Sequence, residues 1–433
     1  MASEKGTIRS LVTWIVRIIV GGVFIFSGFV KAVDPWGTMY KVDDYLNVMS
    51  LNIWPNLVVV GVFLLCGIEF LIGVFIVLGC FRRSAPIMAA VLMTFMVPLT
   101  LWIAVKNPVP DCGCFGDALV ISNWATFWKN IILCLGIWWL IRNNKANTWL
   151  VTPALQWILF ILTAIFIVVI ELYGYVSQPL LDFRNYPVGE ALIDGTESDG
   201  NDVEFTFIYE KEGKLREFQE NDTLPSEEDG WVFVERKEKS TPSQVEKESG
   251  EKSFRFWDTD DEDVTTDVIR GEGPELLVMI PDLKSVSPAT TWKLNSLYEW
   301  SEKNDVSMIG IVSGDDKDLD EWIDLSMASY PIYRADDTQI KEVARGNPAI
   351  VYLLDGRVVW KSTLVAINID DFLSPETASD ASDFGVDNTQ ILKNCIGLYC
   401  ICITVLIIMS FMPKLRFLFF KKRKPENDSP VQS

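Results

Sequence analysis

The stretch Pro55-Asn-Leu-Val-Val-Val-Gly-Val-Phe-Leu-Leu-Cys-Gly-Ile-Glu-Phe-Leu-Ile-Gly-Val-Phe-Ile-Val-Leu-Gly79 carries one charged side chain, Glu69. It is long enough to cross a hydrocarbon core of roughly 30 Å, for which about 20 apolar residues are needed. Working outward from it, Leu11 to Val33, Ala85 to Val105, Trp124 to Ile141, Val151 to Tyr173 and Ile391 to Met412 read the same way. The sequence therefore predicts a membrane α-helical bundle of about six spans.

Charge divides the chain in two. Its 433 residues sum to a net charge of -20, but Tyr175 to Gln390 holds 48 acidic and 20 basic side chains, leaving 10 acidic and 18 basic elsewhere. An acidic domain without a basic stripe repels phosphate backbones, so nucleic acid is not an expected partner. Histidine is absent. This excludes Ser-His-Asp and Cys-His catalysis and imidazole metal ligation, and leaves carboxylates, lysines and thiols as candidate reactive groups.

Basic residues of short loops remain in the cytoplasm. Lys5 and Arg9, Arg82 and Arg83, Arg142 and Lys145, and the tail from Lys414 through Lys424 place both termini inside. The loops 34–54 and 106–123 and the long acidic region then face outward. The expectation is a multi-pass protein of the bacterial inner membrane, in contact with the lipid bilayer, with a large periplasmic domain. Tryptophans 36, 54, 102, 124, 149 and 157 fall near the expected interfaces, where amphipathic rings are favoured.

Ionisable side chains inside spans are functional candidates, or braces between helices. Arg17 falls about 24 Å and Glu69 about 21 Å below the outer ends of their spans at helical rise. The matched depths predict an Arg17–Glu69 ion pair, either a brace or part of a proton or quinone site. Lys31 and Lys129 lie near the outer face, where snorkelling anchors also occur.

Between spans three and four stands Pro110-Asp-Cys-Gly-Cys-Phe-Gly-Asp117. Two thiols one residue apart, beside glycines and outside the cytoplasm, suit a small-ringed labile disulfide or a static structural turn. Cys66 and Cys134, at about 16 Å and 15 Å depth, meet if spans two and four pack together. Cys395 at the outer end of span six is within reach of the loop. Each of the three also fits as a packing residue.

Gly21-Gly-Val-Phe-Ile-Phe-Ser-Gly-Phe-Val-Lys-Ala-Val-Asp-Pro35, Glu69 with Gly73, and Cys112-Gly-Cys-Phe-Gly116 together resemble the DoxX/MauE-type membrane proteins over Leu11 to Asn143. The resemblance implies a link to disulfide formation in periplasmic proteins. It also implies a four-helix core similar in plan to the quinone-coupled thiol oxidases of the DsbB and vitamin K epoxide reductase families. Those oxidases use Cys-x-x-Cys, which this chain lacks. The candidate catalytic residues are Cys112 and Cys114, and the candidate quinone-binding residues are Glu69, Arg17, Lys31 and Lys129, with no metal site.

In the acidic region, Val203 to Glu210 and Lys214 to Phe218 read as a hairpin with a third strand at Trp231 to Arg236, and Lys237 to Lys252 as a linker. Beyond it, strands at Phe254–Asp258, Glu275–Pro281, Val306–Val312, Ala349–Leu354 and Arg357–Lys361 alternate with helices at Ala289–Glu302 and Leu319–Ala328, an α/β pattern. Asn347-Pro348 resembles the cis-proline loop of thioredoxin, and Phe254-Arg-Phe-Trp-Asp258 with Asp263-Val-Thr-Thr-Asp267 the opening of the TlpA/peroxiredoxin branch. The turn that bears thiols in that fold reads Pro281-Asp-Leu-Lys-Ser-Val-Ser-Pro288, and no cysteine lies between Cys134 and Cys395. Pro281, Asp282, Ser285, Asn347 and Pro348 are therefore candidate partner-binding residues rather than catalytic ones.

The chain thus divides into a four-helix membrane domain (1–149), a fifth span (150–175), a small β module (176–237), a thioredoxin-like α/β domain (253–376), a sixth span (390–413) and a basic tail (414–433). Three functions fit: support of thiol-disulfide chemistry in an envelope protein partner, a non-enzymatic scaffold whose cysteine-free domain holds that partner, and, more weakly, transport.

Overall fold

The computed structural model of the protein describes residues 2–193 apart from 52, 110 and 147, the strand backbones at 204–211, 214–219 and 232–239, residues 254–373 apart from 270, and 381–421. Helices α1 (Ala2–Val33), α2 (Pro35–Val48), α3 (Pro55–Leu78), α4 (Ser84–Lys106), α5 (Asn123–Arg142) and α6 (Gln156–Val176) come first. All six expected spans are helices: α1, α3, α4, α5, α6 and the chain's last helix each hold a membrane-length apolar run. Helix α2 was not expected. It starts because the Asp34 carboxylate accepts from Gly37 N at 2.9 Å and Pro35 takes the first helical position, where no N–H is needed.

Small residues set the closest helix pair. A Cβ on Gly28 would lie 2.5 Å from Phe70 N, and one on Gly73 2.5 Å from Ile25 N. Only glycine lets α1 and α3 approach so closely, which is how apolar helices gain packing where lipid offers no hydrophobic drive. This contact fixes the register, with Gly28 against 66–70 and Gly21 against 73–77. Helix α3 consequently runs about 12 Å further toward the sheet-bearing end than α1 does, and its first turns lie beside α2.

That offset overturns the Arg17–Glu69 pair, because equal depth below unequal helix ends is not equal height. Arg17 instead caps α3. Its guanidinium donates to Ile76 O (3.0 Å), Val77 O (2.7 Å) and Thr148 O (2.9 Å), and lies over Trp14 at 4.3 Å. Ile76 O also accepts from Gly79 N at 3.2 Å, but Val77 O lies beyond the helix's own donors, so the fully buried cation meets a real deficit there. Helix α5 packs on α4 and α1. Cys66 is buried in the main helical core, Cys134 packs at that core's edge and lines a groove with Pro98 and Trp138, and both are free thiols. The last span packs on α6, and Cys395 lies against the main helical core, apart from the Cys112–Cys114 cluster.

Strands β1 (Glu204–Lys211), β2 (Lys214–Gln219) and β3 (Val232–Lys239) form an antiparallel sheet in the order β2-β1-β3, with Lys211 opposite Lys214. The expected linker from 237 overlaps the end of β3 and otherwise lies outside the described residues. After a short helix α7 (Thr265–Val268), a mixed sheet in the order β6-β5-β4-β7-β8 contains β4 (Pro274–Ile280), β5 (Ser307–Val312), β6 (Ile332–Arg334), β7 (Ala349–Leu354) and β8 (Arg357–Thr363). Strands β4, β5 and β6 run parallel, and β7 and β8 are antiparallel to their neighbours. Helices α8 (Thr291–Lys303), α9 (Asp316–Ser326), α10 (Asp337–Val343) and α11 (Ile369–Leu373) join them, before the last span, α12 (Asn388–Lys421).

Central strand β4 is buried on both faces. Leu276, Val278 and Ile280 enter one core and Leu277 and Met279 the other, as the two-residue strand period requires. The segment expected as a strand at Phe254–Asp258 makes only isolated bridges from Trp257 to Asp263 and Arg334, while Phe254 and Phe256 fill the second core.

Candidate functional site

The loop from α4 to α5 carries the two outward thiols and is fastened at several points. Helix α4 ends at Asn107 in the left-handed conformation (φ 47°), and Asn123 Nδ2 ties the loop's two ends by donating to Asn107 Oδ1 (2.7 Å) and Val109 O (3.1 Å). Asp111 accepts from Gly113 N at 2.8 Å and pairs with Lys41 of α2 at 2.8 Å. Gly113 has φ 61°, and a Cβ there would meet Lys41 Cγ at 3.1 Å, so backbone conformation and space both call for glycine. Ser27 of α1 reaches the loop from below, 2.8 Å from Cys114 O.

These ties leave Cys112 Sγ and Cys114 Sγ 2.8 Å apart above a cavity of about 140 Å³ between α1, α2, α3, α4 and α5. Cys112 is buried against Ile103 and Val109, and Cys114 is the more exposed. A hydrogen bond shared with Cys114 is the main reason that the Cys112 thiol titrates below its usual range. Burial opposes it, while Thr126 and the Lys129 ammonium assist. Cys114 is pushed up by the same bond and by burial. The two sulfurs thus share one hydrogen bond, and the pair gives up its first proton more readily than a lone buried thiol.

The cavity's polar wall is built from both closely packed helices. Lys31 Nζ contacts Glu69 Oε2 at 2.5 Å with both side chains nearly excluded from solvent, and Ser27 Oγ lies 2.9 Å from the same carboxylate oxygen. Lys31 is therefore an internal cation rather than a snorkelling anchor. On the far wall Asn130 donates to Thr100 Oγ1 at 3.2 Å, and Lys129 Nζ stands 4.0 Å over the Phe115 ring, which packs edge-on with Phe26 at 5.3 Å. The remaining lining is mainly Val, Leu, Ile and Met. Of the residues singled out in the sequence, Cys112, Cys114, Glu69, Lys31 and Lys129 converge here, while Arg17 lies near the other end of α3. The sequence reading missed Ser27, Lys41 and Asn130.

The sheet domain docks directly beside this loop. Arg345, just before the cis Asn347–Pro348 peptide, contacts Asp34 Oδ2 through Nη2 (2.8 Å) and Nε (2.9 Å), and Asp117 Oδ2 through Nη2 (2.5 Å). Burial alone would lower the guanidinium's pKa, but Asp34 and then Asp117 outweigh it and hold the charge. Gln178, just after α6, completes the latch by donating to Arg345 O (2.6 Å) and accepting from Arg345 N (3.1 Å). Asn347 Nδ2 lies 2.7 Å from both Asp282 O and Ser285 Oγ, which joins the proline loop to the cysteine-free turn after β4. Pro281 and Pro348 are buried there, with Asp282 and Ser285 exposed.

Among the described residues, six helices long and apolar enough to cross a membrane make this a multi-pass membrane protein. Residues 9–142 match the model of the family described as methylamine utilisation protein MauE, so the part of the chain that holds the cavity and both loop cysteines is MauE-like. Residues 203–241, which contain the three-stranded sheet, match a domain of unknown function, DUF8463. No curated protein and no solved structure matches the chain.

Proposed function

We propose that this protein supports thiol-disulfide exchange in an envelope protein partner through Cys112 and Cys114. The observation that carries the reading is the pair of thiols 2.8 Å apart at the mouth of a largely apolar cavity with an ion pair in its wall. When the loop pair is a disulfide, a partner thiolate attacks the Cys114 sulfur. The Cys114–Cys112 bond breaks, and Cys112 leaves as the thiolate that its surroundings already favour, since a lower leaving-group pKa speeds exchange. A second partner thiolate then attacks the partner's own sulfur in the mixed disulfide. The partner gains a disulfide, and Cys114 is released and takes up a proton.

A quinone is the acceptor that the cavity suggests. The cavity's volume, about 140 Å³, is close to the roughly 150 Å³ that holds a benzene-sized ring, and Lys31 and Lys129 stand in its lining as donors. A bound quinone would supply a two-electron, two-proton acceptor for returning the loop to the disulfide. Lys31 and Glu69 put a close polar contact in the wall, and Lys129 stands 4.0 Å over Phe115 at the loop, where its charge favours the Cys112 thiolate.

The α/β domain is on this reading thioredoxin-like, supported by its β-α-β order, two antiparallel closing strands and the cis-proline loop facing the turn after β4. Without cysteines it serves as a holding surface, in which exposed Asp282 and Ser285 and half-buried Asn347, on a turn and loop shaped by the buried Pro281 and Pro348, hold the partner near the loop. The basic residues gathered at the other end of the bundle support placing the sheet domain in the periplasm. The test is to express Cys112→Ser and separate its disulfide-linked species. A mixed disulfide between Cys114 and another envelope protein, lost in Cys112→Ser/Cys114→Ser, is expected. Its absence while the double variant retains full biological activity would refute the reading.

A further inference from the structure

Helices α4 and α5 flank a second space, an open groove of about 450 Å³. Its walls include Ala90, Thr94 and Pro98 of α4 and Cys134 and Trp138 of α5, and no charged side chain lines it. Thr94, Pro98 and Trp138 are exposed on helices of membrane-spanning length, so the groove opens toward hydrocarbon. The sequence of α4 makes the room. Ala90 and Thr94 are short, and Pro98 inside the helix has no N–H for the carbonyl four residues back, which interrupts the regular ladder.

Groove and cavity adjoin. Met93 lines both, and on α5 Leu133 of the cavity is followed directly by Cys134 of the groove. Along α4 the cavity reaches up to Ile103, whereas the groove runs from Pro98 to Ala90, about 12 Å to about 24 Å below the helix's sheet-bearing end at Lys106. A path that starts beneath the loop cysteines thus continues past Met93 toward the apolar middle of the bilayer. The buried Met93 side chain is unbranched, with three rotatable bonds, and so can repack at little cost when something passes it.

Size decides what would pass. The cavity of about 140 Å³ has room for a ring but not for the long apolar chain that membrane quinones carry, whereas the groove has about three times that volume. A chain tethered to a ring in the cavity would begin at Met93. A phospholipid finds no headgroup site here, since the groove has no charged lining. We infer that this groove seats the isoprenoid chain of a membrane quinone whose ring occupies the cavity, with Met93 as the gate between them. The inference rests on the quinone reading above and adds to it the route by which the quinone enters from the bilayer.

The test is binding of two ligands to the full chain in detergent, a benzoquinone carrying two isoprene units and the same ring without them, each read by quenching of tryptophan fluorescence. Thr94→Trp fills the groove from α4 and Cys134→Phe from α5, and neither residue lines the cavity. Thr94 Oγ1 donates to Ala90 O of its own helix at 2.9 Å, so its loss does not untie α4 from α5. Each variant is expected to weaken the chain-bearing quinone at least about fivefold, the low end of what overfilling a packed site costs, and to change binding of the bare ring less than about twofold. Val91→Trp adds the same bulk on an exposed face of α4 outside the groove and is expected to change neither. If one groove variant fails to fold, the other, from the opposite wall, carries the comparison. Chain-bearing quinone unaffected by both groove variants, as when a phospholipid chain or a neighbouring helix fills the groove, would overturn the inference and leave the ring site standing. An equal loss for the bare ring, or an equal loss in Val91→Trp, would also overturn it. Binding of neither quinone to the unsubstituted chain would overturn the ring site and the groove together.

Discussion

Arg345→Met tests whether the sheet domain is latched to the loop that carries the cysteines. The substitution keeps an unbranched apolar stem and deletes the hydrogen bonds to Asp34 and Asp117. Asp34, its side chain 12% exposed, is left without its cation, whereas Asp117 at 33% regains water more readily. Breaking a buried ion pair costs about 3–5 kcal/mol, and because part of this site is screened by solvent the lower value, about 3 kcal/mol, applies. That corresponds to a shift on the order of 100-fold toward the undocked arrangement. Hydrogen exchange of the full chain in detergent would read it at the Arg345 amide, which is bonded to Gln178, and in the peptides covering 34–41 and 111–118. Asp34→Asn should accelerate exchange more than Asp117→Asn, because Asp34 is the more buried and receives two of the guanidinium's bonds. Unchanged exchange at Arg345 in Arg345→Met, or a larger effect from Asp117→Asn, would refute this account of the docking.

Arg17→Met leaves Val77 O and Thr148 O without their donor, while Ile76 O keeps Gly79 N, and should lower the stability of the bundle by about 3 kcal/mol, counted at the low end of about 1.5 kcal/mol for each of two charge-assisted bonds. Arg17→Lys should recover only part of this in thermal unfolding, since an ammonium lacks the planar fork that spans them. Alkylation of Cys112 should rise with pH through a midpoint below that of a free thiol, as the thiolate forms early. Cys114→Ala removes the largest stabiliser of that thiolate and should move the midpoint up; an unmoved midpoint would mean that Lys129 and Thr126 suffice. Gly28→Val forces a Cβ against the Phe70 backbone and should impair folding severely, whereas Gly22→Ala, with nothing within 4 Å of the added Cβ, should leave the unfolding midpoint nearly unchanged.

The spans were legible because each is a long apolar run, and length against bilayer thickness leaves few alternatives. Helix α2 was not legible by that signal, since its residues are half polar, but Asp34-Pro35 is a cap followed by a first-turn proline and could have revealed it. Similarly Asp336, whose carboxylate accepts from Thr338 N at 2.9 Å, marks the start of the unexpected α10. The Arg17–Glu69 error came from measuring depth from each helix's own end. Gly21, Gly28 and Gly73 set the true offset between α1 and α3, and through it the partners of both charges: Lys31 for Glu69 and backbone carbonyls for Arg17. The Cys-Gly-Cys loop was readable as a candidate site from its residue types. Its cavity was not, because Ser27, Lys41, Glu69 and Asn130 come together only through helix packing. The Arg345 latch joins residues 311 and 228 positions apart, beyond any local pattern.

The most direct test of the central claim is the thiol state of Cys112 and Cys114 in intact membranes, read by maleimide mass-tagging before and after reduction, with the other six cysteines replaced by serine. The account predicts a pair that is oxidised in growing cells, becomes reduced when quinone synthesis is blocked, and returns to the disulfide when a quinone is supplied. Two thiols that stay free under all three conditions, or a disulfide that never exchanges, would contradict it.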